Sequence, residues 1–287
     1  MALPAELSME AVGGLMARPG FARAVRTLYR GKIATVAEDP VMASLFRDAG
    51  HYVVTLLAFL LAHDEEGITL ARLKAVCAGS RLMSPGRVRA LLGYLEHVGF
   101  VDQVTARTGN QAAVYRPAPR FVDAWCRHMR SGLEAAAIID DAAGALLARM
   151  DEPGVAVQFA RAQGGIITAA IFGQDWGDDM PFVRIFQHRL GGGRAMTALV
   201  ASEADDGELA GQAVSFSLTA VAEMSGISRV QARRLFDDAQ AAGLVVIEDG
   251  HLRWAPETQG LIAFNAGFEL AALKAAARTV AAAKVVS

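Results

Sequence analysis

"SFSLTAVAEMSGISRVQARRLFDDAQAAGLVVIEDGHLRW" (residues 215–254) decides how the rest of the chain reads. A short apolar-periodic segment ends at Gly226, and Ser228 then stands where a helix N-cap belongs, with Gln231 at capping-box spacing. Ala232, Leu235, Phe236, Ala239 and Ala242 recur at helical spacing and predict a buried face, leaving Arg229, Gln231, Arg233 and Arg234 to point elsewhere. Gly243 stops the helix, and "LVVIEDGHLRW" predicts a hairpin turning at Asp249-Gly250, a pair that tolerates the positive φ of a two-residue turn. Helix, tight turn, arginine-bearing helix and hairpin together predict a winged helix-turn-helix, in which the second helix enters the major groove of DNA.

The same unit occurs earlier in the chain. "LFRDAGHYVVTLLAFLLAHDEEG" (45–67) and "IFQHRLGGGRAMTALVASEADDG" (185–207) align without a gap at an offset of 140, placing Leu45 on Ile185 and Gly67 on Gly207. "SPGRVRALLGYLEHVGFV" (84–101) aligns with "SRVQARRLFDDAQAAGLV" (228–245) at an offset of 144, so that Arg89 meets Arg233, Leu91 meets Leu235 and Gly99 meets Gly243. Downstream, "RPAPRFVDAWCRHMRSGLEAAA" resembles "WAPETQGLIAFNAGFELAALKAAA". Order, spacing and shared turn glycines argue against a chance likeness of two helical stretches. Two repeats are expected, 1–150 and 151–287, meeting near "DEPG" (151–154), with winged helices at about 51–118 and 191–256.

In the first copy, 51–63 and 69–78 read as helices, the second with Thr69 as N-cap, and Ser84-Pro85 opens a third in a favoured way. Val88, Leu91, Leu92, Leu95 and Val98 form its inward face, while Gly86, Arg87, Arg89, Ala90, Gly93 and Tyr94 face outward. Gly99 ends it, and "FVDQVTARTGNQAAVYRPA" predicts two strands around Thr108-Gly109-Asn110, with Arg107 near the tip. Arginine suits bidentate contact with guanine and also serves phosphates. The DNA-contacting set is therefore expected to be Ser84, Arg87, Arg89, Tyr94 and Arg107 in the first copy, and Ser228, Arg229, Gln231, Arg233 and Arg234 in the second.

"SLTAVAEMSGISRVQARRLFDDAQAAGLV" resembles the reader segment of the MarR family of bacterial transcription regulators, and "WAPETQG" resembles the segment where that family's wing returns into its C-terminal dimerisation helices. The resemblance covers both halves. It implies a mainly α fold with small β-hairpin wings, in which the family's dimer is fused into one chain and the terminal helices form a shared dimerisation-like core. It further implies a transcriptional regulator, not an enzyme, that acts as a monomer with pseudo-twofold symmetry on an imperfect inverted repeat of double-stranded DNA; further self-association stays open. A small aromatic effector bound between reader and dimerisation helices is also implied, with Trp125, His128, Met129 and Trp176 as the candidate lining. The second wing departs from the family pattern, being reduced to "EDGH".

Charge favours DNA only locally. The net charge is −2, yet between Gly79 and Arg120 stand Arg81, Arg87, Arg89, Arg107, Arg116 and Arg120 against Glu96 and Asp102. In the second reader Arg229, Arg233, Arg234 and Arg253 are offset by Asp237, Asp238, Glu248 and Asp249, so the first half is expected to bind harder. The acidic balance and the minimal second wing also fit a tandem winged-helix protein-interaction module like the condensin-associated subunits of bacteria; a third reading, a plasmid replication initiator with two winged helices, calls for a more basic chain.

No cofactor, metal or catalytic set is expected. Cys77 and Cys126 lack partners at metal-ligand spacing, "GGG" (191–193) lacks the Gly-Lys-Ser/Thr of a phosphate loop and reads as a helix defect or close packing point, and "GQDWGDD" (173–179) lacks calcium-loop spacing. Hydrophobic residues make up 53% and mean hydropathy is +0.29, but the longest apolar run, Tyr52 to Ala62, is too short for a bilayer of roughly 30 Å, so no membrane association is expected. "MALPAELSME" does not read as a secretory leader, and the expected compartment is the cytoplasm.

Overall fold

Capping chemistry sets most element boundaries in the computed structural model, which describes residues 5–78, 83–105, 112–173, 180–205 and 207–283. Helix α1 (Met9–Met16) opens under the Ser8 hydroxyl, and α2 (Phe21–Glu38) follows the left-handed Gly20. Asp39 caps α3 (Pro40–Leu45) and Asp48 caps α4 (Ala49–Ala62), which is buried on almost every side and so lacks a clean amphipathic period. Then come α5 (Leu70–Ala78), α6 (Pro85–His97), strands β1 (Val101–Thr105) and β2 (Val114–Pro117), and α7 (Pro119–Ala137). The second half runs through α8 (Asp141–Leu147), α9 (Val155–Gly173), a π-helical turn (Val183–His188), α10 (Gly192–Ala201), β3 (Val214–Ser215), α11 (Leu218–Ser225), α12 (Arg229–Ala241), β4 (Val245–Glu248), β5 (His251–Trp254) and α13 (Pro256–Ala282).

The protein is thus mainly helical with two small antiparallel sheets, β1-β2 and β3-β5-β4. Ile68, just before α5, exchanges two backbone hydrogen bonds with Tyr115 of β2, as β3, just before α11, pairs with β5.

Local expectations met the structure closely. Ser84 accepts from the Arg87 N–H, and Ser228 and Gln231 form both halves of a capping box. Gly99 and Gly243 take φ of +69° and +70° at the helix ends, and Asp249 and Gly250 take +48° and +73° in the wing turn. Two inward-face assignments need correction. Ala242 is exposed because it is the C-cap of α12, past the last buried turn, and Val98, the C-cap of α6, is only half-buried. The triple glycine is a close packing point: a Cβ on Gly192 would lie 2.3 Å from the Ile185 carbonyl oxygen, and Gly191, at φ +75°, donates its N–H to the Arg47 carbonyl at 2.8 Å.

One continuous apolar core runs from Leu7 to Val280. Helix α2 packs on α7 and α9 on α13; across the chain, α2 packs on α10, α4 on α9, α7 on α9, and both α1 and α8 on α13. A fully buried ion pair ties two of these partners, Arg26 of α2 lying 3.3 Å from Glu203 just after α10. Arg26 also donates to the carbonyls of Asp205, Gly207 and Glu208, at 3.2, 2.8 and 2.9 Å. Burial raises the Glu203 carboxyl, against the lowering effect of the Ala210 N–H and of Arg26. Helix α13 is, among the described residues, the one helix long and apolar enough to cross a membrane, but 56% of its most apolar stretch is buried in this core.

Candidate nucleic-acid interface

In the first reader, Val88, Leu91, Leu92 and Leu95 anchor α6, and Gly86, Arg87, Arg89, Ala90 and Gly93 are exposed. Tyr94 is half-buried against the core, so only part of its ring is available. Arg107 lies outside the described residues.

The arginines of this half are largely engaged. Arg116 donates to the carbonyls of Asp64 and Glu65. Arg120 pairs with Asp39 at 3.5 Å and lies over the Phe100 ring. Arg87, 52% exposed, places one guanidinium nitrogen 3.2 Å from the carboxylate of Asp48, which is only 10% exposed. The Asp48 carboxylate also accepts from the His51 backbone N–H at 2.9 Å and lies 2.8 Å from His51 Nδ1, while His51 Nε2 lies 3.0 Å from Arg47. Burial alone would raise the Asp48 pKa, but the His51 hydrogen bonds and the His51 and Arg87 charges outweigh it and hold the group at about 2. Arg89 makes no ion pair among the described residues. A sequence count therefore overstates the free positive charge here.

The second reader differs. Arg229, Val230, Gln231, Arg233 and Arg234 are all exposed on the first turns of α12, and none of the three arginine side chains is ion-paired among the described residues. Asp238, further along α12, is bound by Arg189 at 2.5 Å, which removes much of its charge from the surface. Gln231 has its carbonyl oxygen committed to the Ser228 N–H at 2.9 Å, leaving its amide nitrogen for other contacts. Val230, next to Arg229 in α12, is 60% exposed, and Met224 of α11 is 43% exposed.

The two readers are linked through short contacts. The Arg47 carbonyl accepts the Gly191 N–H, so the starts of α4 and α10 meet, with Asp48 on one side holding Arg87 and Arg189 on the other holding Asp238.

Three of the four residues expected to line an effector cleft are filled core. Trp125, His128 and Met129 are buried on α7, with the Trp125 ring 5.7 Å from Phe59 and Tyr52, and His128 4.6 Å from Phe46. Trp176 lies outside the described residues. An open cavity of about 450 Å³ occurs elsewhere, between the start of α2 and the segment after α10, lined by Met16, Arg18, Phe21, Arg23, Glu208 and Leu209 among others. Its walls come from segments far apart in the chain, so no local motif announces it. Burial pushes the Cys77 and Cys126 thiols up to about 11, which leaves both protonated and unreactive at neutral pH.

Comparison with protein-family models, with curated proteins and with solved structures returned no match to this chain.

Proposed function

We propose that this protein is a DNA-binding transcriptional regulator built from two tandem winged helix-turn-helix units related by internal duplication, acting as a single-chain pseudo-dimer on an imperfect inverted repeat. The observation that carries the reading is the cluster of Arg229, Arg233 and Arg234, exposed and unpaired among the described residues on the first turns of α12. Unpaired arginines on a small, solvent-facing helix end can displace counterions from phosphates and reach base edges.

Duplication is supported by repeated order and by reciprocal packing. Each half runs from a long helix through a buried helix, two short helices and a hairpin to a second long helix. The long helix of each half, α2 or α9, packs on the buried helix of the other, α10 or α4, as a twofold relation requires. Thr35 and Thr168 add a shared detail, each donating to a glycine carbonyl four residues back.

Titration of the whole chain against random and selected duplexes across a salt series tests the reading. Log affinity should fall linearly with log salt, with a slope near −0.9 per phosphate contact, and one sequence should be preferred. Absence of any salt-dependent binding overturns it. A second reading, a protein-interaction module, is favoured by exposed Val230 and Met224; it would be supported by retained partner capture in an Arg233→Ala, Arg234→Ala variant.

A further inference from the structure

We infer that Asp48 is a positioning residue that holds Arg87 as a preoriented reader of a guanine in the half-site of the first reader; the inference rests on the DNA-binding reading. Arg87 is the third residue of α6, in the part of a recognition helix that approaches base edges. Its partner is not an ordinary surface acid. Asp48 is largely buried and belongs to a different element, the start of α4, 39 positions away in the chain.

Asp48 does not need Arg87 to complete its structural task. Its cap on α4 is made by the His51 N–H, and His51 Nδ1 supplies a further contact. The bond to Arg87 instead fixes the guanidinium, whose three nitrogens carry five N–H donors in a rigid plane. With one nitrogen held by Asp48, the remaining donors on the half-exposed side chain keep a defined direction. A flexible exposed pair is worth little because solvent and side-chain entropy oppose it; here one partner is already immobile, so only Arg87 is ordered.

The charge arithmetic separates this role from phosphate binding. Arg87 and Asp48 together are neutral, so the pair adds little to counterion release, whereas Arg89 keeps an unmatched charge. In the second reader the equivalent helix position is Gln231, and it too is fixed, by the Ser228 capping box. A glutamine suits adenine and an arginine suits guanine. The half-sites should therefore differ at this base pair.

Selection from a randomised duplex pool, with the full chain and its Asp48→Asn and Arg87→Lys variants, tests the inference. Asparagine still caps α4, and unchanged thermal unfolding would check that the variant folds. The wild-type chain should enrich a guanine in one half-site only. Both variants should lose roughly ten-fold in preference for that guanine, while affinity for random DNA stays level in Arg87→Lys and rises in Asp48→Asn, which has one acid fewer. If Asp48→Asn tightens selected and random DNA equally, Asp48 merely competes with phosphate and the inference is wrong. Unchanged guanine preference in Asp48→Asn overturns it as well. A wild-type chain that binds no DNA removes the DNA reading and takes this inference with it, an outcome distinct from the other two.

Discussion

His128 sits inside an aromatic cluster with no hydrogen-bond partner for Nδ1 among the described residues. Burial, helped by the neighbouring Lys32 ammonium, holds its pKa down to about 3. An unfolded chain protonates its imidazole near 6.5, as free histidine does. Between about 6.5 and 3 the unfolded state thus binds a proton that the folded state refuses, so stability falls as pH falls through that window and is unaffected above it. We expect denaturation midpoints to drop between pH 7 and pH 4.5, and His128→Phe, which keeps an aromatic ring in the cluster, to remove much of that slope. An unchanged slope would place the acid sensitivity elsewhere. Arg26 invites a second test. Arg26→Ala should cost about 3–5 kcal/mol by leaving Glu203 buried without its counter-charge. Arg26→Met combined with Glu203→Met should recover only part of this, because the carbonyls of Asp205, Gly207 and Glu208 also lose their donor; chemical denaturation of both variants measures the difference. Such pairings were beyond the reach of the sequence. Ser84, Ser228, Gln231, Gly99 and Gly243 are legible because a cap or a left-handed turn involves residues within a few positions, whereas Arg26 meets a carboxylate 177 residues away.

Among the elements, the two arginine-bearing helices α6 and α12 carry the clearest contrast. Both were legible from periodicity and capping, and their buried faces came out nearly as spaced in the sequence. Their relative strength was not, since counting arginines ignores which of them are paired within the protein. Arg87 is matched by Asp48, while Arg233 and Arg234 have no ion pair among the described residues. For random-sequence DNA we therefore expect Arg233→Ala with Arg234→Ala to reduce the salt slope by about two, and Arg87→Ala with Arg89→Ala by about one. This reverses the order expected from local composition. Equal reductions, read from the same salt titration, would mean that Asp48 releases Arg87 when DNA arrives. The short strand β3 and the Ile68 bridge escaped the sequence reading for a simple reason: one or two residues are too few to display a period of two.

At the scale of the whole molecule, α2 and α10, α4 and α9, and α1 and α13 bind the halves into one core. We expect a single cooperative thermal transition, with calorimetric and van't Hoff enthalpies in agreement, from a particle that light scattering reports as a monomer. Two resolved transitions would mean that the halves are independent. The sequence pattern gave no sign of this exchange of partners between the halves, because a helix pattern records which face is apolar and not which helix covers it.

The docking of α1 on α13 has a consequence for biosynthesis. A Cβ on Gly267 would lie 3.1 and 3.2 Å from Met16 and Val12, so the contact is close, and Lys32 completes its pair with Glu269 only after another 237 residues have been added. At bacterial and eukaryotic elongation rates of about 5–20 residues per second, that wait is roughly 10–50 s. During it α2 gains its α7 cover as soon as residues 119–137 are made, but the α1 face that α13 covers emerges from the ribosome with no permanent partner, so the nascent chain depends on holding factors or on slow collapse until the second half is made.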